Sequence, residues 1–589
     1  MRSQIILLAL LLSIFSCSLG SLQRSDTPAE ESTAPFSEVD FKGKDVYVTL
    51  DNVQYKWIKL DTTDVSKLVD LFKENYSNKW KKRFSEDLVE YLNKLEVYPA
   101  QRESFTLEDE AGNLKVVSLN FNGKKRNLAK DHYESTYEKK VDVNLNLTKA
   151  DATEDLEQLH DLIQEKYSYY FLNEVNIPAE IRQLKEGLPD HITTYDLAFR
   201  IGKFLNKFGD GHTRVHNVNF KRAGMLPFSV SAYNGKVICT KEGKLLKEGF
   251  PFLHSINGIG VVELLKISEE NLTQAASPQF IVSMRAARIN RIGEILRIAG
   301  VSTSSLTVEL ISDEGEITSL TQEMGTYVRN RGIPTSPLEI EKFADIGYLK
   351  IKSMAALSEG DLFAGPLSEL ANSRAIIIDV RGNGGGLRDI LIELAPHFIS
   401  KEQGAVIGNV AQLRTNNTKK DHDLSDRYLY QANADFFDED AKRKVKAWSS
   451  NFTKSVTPEE DLYSADYFLY IKGHDKPKFP HTPTVVLMNE GCYSATDIFL
   501  STFKEIDDVT LVGTPSGGGS GRSIKYQLQN SRIEVRLSSI VSFQPNGDLY
   551  DGNGVQPDIE VEPFGVKDFL KETDSQLEQA LNLLEYNPE

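Results

Sequence analysis

Ser494 follows an apolar, β-branched run, Thr484–Met488, and opens a segment in which Ala495, Ile498, Phe499, Thr502 and Phe503 recur at helical spacing. A serine at such a helix start is most often an N-cap. The same position also suits a nucleophile, because the free amides of the helix start can hold an oxyanion. A second turn, Ile378-Asp379-Val380-Arg381-Gly382-Asn383-Gly384-Gly385-Gly386, leaves another apolar strand and enters a helix near Leu387. Its glycines let a ligand approach bare backbone N–H groups. A phosphate loop is disfavoured there, because no Lys-Ser/Thr pair follows. A third turn, Asp551-Gly552-Asn553-Gly554-Val555-Gln556-Pro557-Asp558-Ile559, follows Pro545-Asn546-Gly547, and its bland reading is a pair of turns with solvated carboxylates. Gly517-Gly518-Gly519-Ser520-Gly521 makes a flexible loop able to close over a cleft.

His212 and His216 have the spacing of a helical metal pair, but the residues around them alternate like a strand. Four strand residues at about 3.3 Å each separate the pair by roughly 13 Å, too far to share an ion. With no His-Glu-x-x-His and no CxxC spacing, no metal and no other cofactor is expected. Cys239 and Cys492 read as packing thiols.

The elements that must hold these turns change in texture along the chain. Residues 39–147 mix alternation, as in Val46–Leu50, with a helix from Thr63 onward, and suggest an N-terminal α+β domain without assignable chemistry. Its basic cluster, Lys79, Lys81, Lys82 and Arg83, reads as a solvated helix face. Residues 148–222 are helical, with Leu156, Leu159, Leu162 and Ile163 on one face and a second helix over Tyr195–Phe208. That segment ends at Gly209-Asp210-Gly211-His212-Thr213. Residues 223–335 form a β-rich module whose Ile256-Asn257-Gly258 turn and following helix around Val261–Ile267 resemble a PDZ-like stretch; no carboxylate-binding Gly-φ-Gly-φ loop accompanies it. Within 336–565, the runs Tyr348–Ile351, Arg374–Asp379, Thr484–Met488 and Val509–Val512 alternate with helical segments and predict a buried, largely parallel α/β sheet. Residues 408–480 read as a polar excursion or cleft wall, and Val566–Leu584 as a closing helix within a tail of 566–589.

Together the three turns resemble the tail-specific, or C-terminal-processing, serine proteases, in the branch that includes the tricorn protease core. The Asp-φ-Arg-Gly-Asn-x-Gly-Gly signature and the Ser-Ala-Thr-Asp turn carry this resemblance, which covers roughly residues 150–565. It implies a crotonase-like α/β protease core with a helical cap and the PDZ-like module inserted, acting on peptide or protein substrates. It also implies catalytic roles: Ser494 as nucleophile, with the backbone N–H groups of Ala495 and Gly385 as the oxyanion hole. The Ser/Lys branch carries a lysine 25 residues after the nucleophile; Gly519 stands there and Lys525 is off register. The tricorn-like branch uses a histidine before the PDZ-like module, which maps to His212, and a neutral imidazole suits removal of a serine proton. It orients that histidine through a network ending in a glutamate, at whose place Asp551 stands, one methylene shorter. The serine that usually precedes the histidine is Gly211 here. The rival reading is a catalytically silent module on the same scaffold, binding hydrophobic ligands or peptides.

Residues 1–17 combine Arg2, the apolar run Ile5–Ile14 and a lipobox-like Ile14-Phe15-Ser16-Cys17, predicting a lipoprotein signal with an acyl anchor at Cys17. The alternative is cleavage near Ser18-Leu19-Gly20 and a soluble secreted product. Residues 18–38 are polar and suit a flexible tether, and both readings place the folded part outside the cytoplasm, in a bacterial cell envelope or beyond it. Of 589 residues, 68 are basic and 85 acidic; the net charge of −17 argues against wrapping nucleic acid. With 40% hydrophobic and 26% charged residues, the composition is that of ordinary globular protein and excludes a multi-span membrane protein.

Overall fold

The computed structural model describes residues 33–585 except 51–52, 77–79, 95–97, 122, 137–140, 173, 219–223, 234–235, 271–277, 326–337, 355–362, 415–423, 460 and 562–572. The leader and the anchor at Cys17 lie outside the described residues. The chain divides into two compact units, Met1–Lys140 and Val141–Glu589. The expected boundary at residue 147 therefore moves upstream, because Leu147 is buried in the second unit's core and its strand Asn146–Thr148 pairs with His191–Thr193.

In the first unit, the strands Val39–Lys42, Asp45–Leu50, Val53–Leu60, Arg102–Glu108 and Leu114–Asn120 form an antiparallel sheet in that order. Helices Val65–Tyr76, Trp80–Glu86 and Leu88–Lys94 complete an aromatic core with it. The expected tether is shorter than 18–38: Phe36 is buried, its ring edge-on to Trp57 at 5.1 Å and to Phe105 at 5.2 Å. One aromatic side chain with a core to enter outweighs the polar composition around it. The basic cluster is partly structural too, since Arg83 and Arg126 both donate to the buried Asp87 at 2.5 and 2.6 Å.

The second unit is built on a six-stranded sheet in the order Leu338–Phe343, Ile346–Ile351, Ala375–Asp379, Thr484–Met488, Val509–Gly513, Ile559–Glu560. The first two strands pair antiparallel and every later pairing is parallel. The expected strands are continuous apolar runs because both faces are covered. Ile376 and Ile378 face a core with the helices Asp389–Leu394 and Ala495–Lys504, while Ala375 and Ile377 face the C-terminal helix Ser575–Leu583. The described part of the tail is helical over Ser575–Leu583, shorter than expected.

The stretch 408–480 is more than a surface excursion. Its strands Ala405–Leu413 and Tyr467–Lys472 pair with each other, the first also pairs with Ile540–Phe543 on its other edge, and most of their residues are buried. Two buried amides, Asn409 and Gln412, disguise the first strand; Asn409 Nδ2 donates to Ser542 Oγ at 2.8 Å and to the Phe543 carbonyl at 3.1 Å. Helices Lys149–Lys166, Ile177–Glu186 and Thr194–Asn206 pack onto this layer. Between Ser229 and Glu323 lies a seven-stranded sheet, and helices Val261–Glu270, Pro278–Ile289 and Ile292–Ile298 pack against it, so this module is less purely β than expected.

Candidate active site

Ser494 stands where the parallel strand Thr484–Met488 has turned and the helix Ala495–Lys504 begins. Its φ of 62° and ψ of −116° are strained for a residue with a side chain, and its hydroxyl makes no capping bond. The Oγ is therefore free to face outward, and it lies 3.3 Å from His212 Nε2. Ala495, the first helical residue, has an N–H with no acceptor inside its own helix.

The glycine loop runs alongside. Gly385 has φ +95°, and a Cβ there would fall 2.5 Å from the Tyr493 carbonyl oxygen and 2.8 Å from Ser494 Cβ, so only glycine lets the two turns meet. Asn383, fully buried, organises this loop: its Nδ2 donates to Ile351 O at 2.9 Å, and its Oδ1 accepts from Met354 N at 3.3 Å and Gly385 N at 3.1 Å. The expected oxyanion donor Gly385 N–H is thus engaged by Asn383 at rest, whereas that of Ala495 carries no such bond within its helix.

His212 arrives from a different part of the chain. Asp210 shapes its turn, accepting from His212 N–H at 2.9 Å and from Thr213 Oγ1 at 2.6 Å, and Ser538 N–H donates to Thr213 Oγ1 at 3.0 Å. The following strand Arg214–Val215 pairs with Glu534–Ser538, and His216 N–H donates to Glu534 O, so the extended path expected after His212 is what carries the chain away. Burial, reinforced by Arg214, Arg427 and Arg536 and opposed by Asp210, pushes the His212 imidazole well below its ordinary range, so the ring is neutral near pH 7.

Asp551 lies beside His212 without bonding it. Tyr169 Oη donates to Asp551 Oδ2 at 2.7 Å, while Oδ1 is buried with no partner among the described residues. His212 Nδ1 likewise has none, Asp210 Oδ1 standing off at 4.0 Å. Burial and the neighbouring Asp210 push the Asp551 carboxyl up, toward its neutral form. Among the described residues, Asp210, His212 and Asp551 are the group that brings three ligand-type atoms within 4.8 Å of one another. A cation there would need both carboxyls ionised, against the burial that favours a neutral Asp551. Cys492 is fully buried, donates to Val380 O at 3.1 Å and has its thiol pushed far up by burial, a packing role.

Several supporting residues escaped the sequence. Asp497 accepts from Ser516 Oγ at 2.5 Å and from the N–H groups of Gly518 and Gly519 at 3.2 Å, fastening the glycine-rich loop to the helix Ala495–Lys504. Burial nevertheless raises its carboxyl to about 7. Its place three residues after Ser494, the spacing of a capping box, was the available signal. Arg381 of the first turn grips Asp379 at 2.7 Å and Asp574 at 2.7 Å, tying the loop to the C-terminal helix.

Residues 345–561 match the model described as Peptidase family S41. A probable CtpA-like serine protease of Staphylococcus epidermidis is 24% identical over 243 residues, covering 41% of this chain and 38% of that protein. The carboxy-terminal-processing protease of Bartonella bacilliformis is 24% identical over 227 residues, 37% of this chain and 39% of that protein. The chain spans less than half the length of these relatives. Mature CPAF complexed with lactacystin superposes with a TM-score of 0.51 at 16% identity, covering 74% of this chain and 98% of that one, a likeness of fold. Residues 345–561 are therefore similar to the Peptidase family S41 domain, and over that part the chain resembles serine-type, carboxy-terminal-processing proteases. Among the described residues no helix is long and apolar enough to cross a membrane.

Proposed function

We propose that the protein is an extracytoplasmic serine endopeptidase with Ser494 as nucleophile and His212 as general base. The observation that carries this reading is the 3.3 Å approach of Ser494 Oγ to His212 Nε2 at a helix start. For Nε2 to accept a proton, the hydrogen of the neutral imidazole sits on Nδ1, facing the Asp210 and Asp551 carboxyls. His212 removes the Ser494 proton as Oγ attacks the scissile carbonyl carbon. The resulting oxyanion is held by Ala495 N–H, joined by Gly385 N–H once Asn383 Oδ1 releases it. His212 then gives its proton to the departing amine as the C–N bond breaks, leaving an acyl group on Ser494. Water, deprotonated by His212, cleaves that ester and restores the serine. No step calls for a metal or cofactor.

The substrate is a peptide or protein segment, bound extended and guided by the PDZ-like module, with Asp551 as a neighbour of the base and not its bonded partner. The leader and Cys17 support attachment to a bacterial cell envelope by an acyl anchor. A fluorophosphonate probe tests the core of this reading: it should label the native protein and leave Ser494→Ala unlabelled. A native protein that resists the probe would favour a silent binding module instead.

A further inference from the structure

A base needs its ring held in plane, and the usual device, a hydrogen bond to Nδ1, has no partner here among the described residues. The His212 ring instead lies against that of Tyr493, with centroids 5.5 Å apart and planes 15° from parallel. Tyr493 immediately precedes Ser494. Its N–H donates to Asn383 O at 3.1 Å and its carbonyl accepts from Thr496 N–H at 3.2 Å, so ring and nucleophile share one fastened turn.

The phenol sits in a slot made by three glycines from two distant loops. A Cβ on Gly211 would fall 3.1 Å from Tyr493 Cζ, one on Gly517 2.9 Å from Cδ2, and one on Gly519 2.5 Å from Cζ. A side chain at Gly211 would overlap the phenol hydroxyl, and one at Gly519 the hydroxyl and the adjoining ring edge. Both are positions at which the chain departs from a branch of the family it resembles: the tricorn-like branch has a serine before the histidine, and the Ser/Lys branch a lysine 25 residues after the nucleophile. The two departures are one structural fact: the tyrosine fills both places. Asp497 holds the slot's far wall through Gly518 and Gly519.

We infer that Tyr493 is a positioning residue whose ring, seated in the Gly211–Gly517–Gly519 slot, fixes the plane of the His212 imidazole in place of a carboxylate hydrogen bond. The inference rests on the Ser494–His212 reading. Because a 1 Å misplacement of a reacting group can cost about 10²-fold, loss of the ring should weigh on the acylation step and not on binding.

The test measures fluorophosphonate labelling of Ser494 in the full chain, separating the maximal inactivation rate from the probe's apparent affinity. Tyr493→Phe keeps the ring and should label within about threefold of wild type, whereas Tyr493→Leu should lose about 10²-fold, in the maximal rate alone. Gly211→Ser should be as damaging as Tyr493→Leu in the native background. Added to Tyr493→Ala, where the slot is vacant, it should cost nothing more. Wild-type labelling by Tyr493→Leu would overturn the inference, as would a Tyr493→Phe protein as slow as Tyr493→Leu or additive losses in the Gly211→Ser/Tyr493→Ala pair. Should the leucine variant not fold, the phenylalanine variant and the double variant still decide it. Persistent labelling of Ser494→Ala signals a different failure, that of the dyad itself.

Discussion

Around Ser494 the chain is fastened from several directions. Asn489 Oδ1 takes the N–H groups of Gly382 and Gly491 at 2.8 and 3.1 Å, Cys492 bonds Val380, and Asp497 anchors the loop beyond. The turn bearing His212 is fastened through its backbone, the Asp210 carboxyl and Thr213, while among the described residues the imidazole itself has a bond at Nε2 and none at Nδ1. In the proposed dyad the serine turn is held by side-chain hydrogen bonds, whereas the imidazole ring lies against Tyr493. The difference follows from chain geometry. A nucleophile between a parallel strand and its helix inherits the order of the sheet, whereas a base delivered from outside the sheet must be oriented by what it lands against.

Substitutions that remove each kind of support probe this contrast. His212→Ala should cut fluorophosphonate labelling most, by about 10²–10⁴-fold, the usual worth of a general base. Asn383→Ala should come next: it leaves Ile351 O without a buried donor, costing about 1–3 kcal/mol in denaturant-melt stability, and loosens the glycine loop enough to slow labelling. Burial gives the His212 imidazole a folded pKa below its ordinary 6.5, with Arg214, Arg427 and Arg536 reinforcing and Asp210 opposing. The deprotonated ring is the active form, so labelling should hold its plateau below pH 6.5 and fall only in more acid buffer. The same group contributes stability that is present above pH 6.5 and lost as pH falls toward the folded value. A labelling rate that halves at pH 6.5 or higher would contradict a buried neutral base. Asp551→Asn should have a smaller effect, under about tenfold, because the carboxyl it replaces is already pushed toward neutrality. Cys492→Ala should leave labelling essentially unchanged, its cost appearing in melting temperature alone.

Legibility in the sequence followed how local each signal was. The buried strands announced themselves because both faces of a parallel sheet are covered, so Ile376, Ile377 and Ile378 are apolar in unbroken succession. Ser494 was legible because strand, turn and helical period sit within twenty residues. The strand Ala405–Leu413 was hidden by Asn409 and by polar flanks, and its burial depends on partners far along the chain, in Tyr467–Lys472 and Ile540–Phe543. Phe36 was hidden by its polar neighbours. Asp210 and Tyr493 carry no signal of their own types, since each acts on groups brought near only by folding, and Asp497 offered only its capping-box spacing from Ser494.

The order of residues alone determined the buried sheet, the two glycine-bearing turns at strand ends and a serine at a helix start, because these depend on nearest-neighbour conformation and apolar period. The resemblance named His212 and Asp551, but how near that imidazole stands to the serine, whether the carboxyl bonds it, and what fills the space at Gly211 and Gly519 were decided only by the tertiary structure. Those outcomes turn on which distant surfaces share one volume, and an aromatic ring can occupy that volume only once.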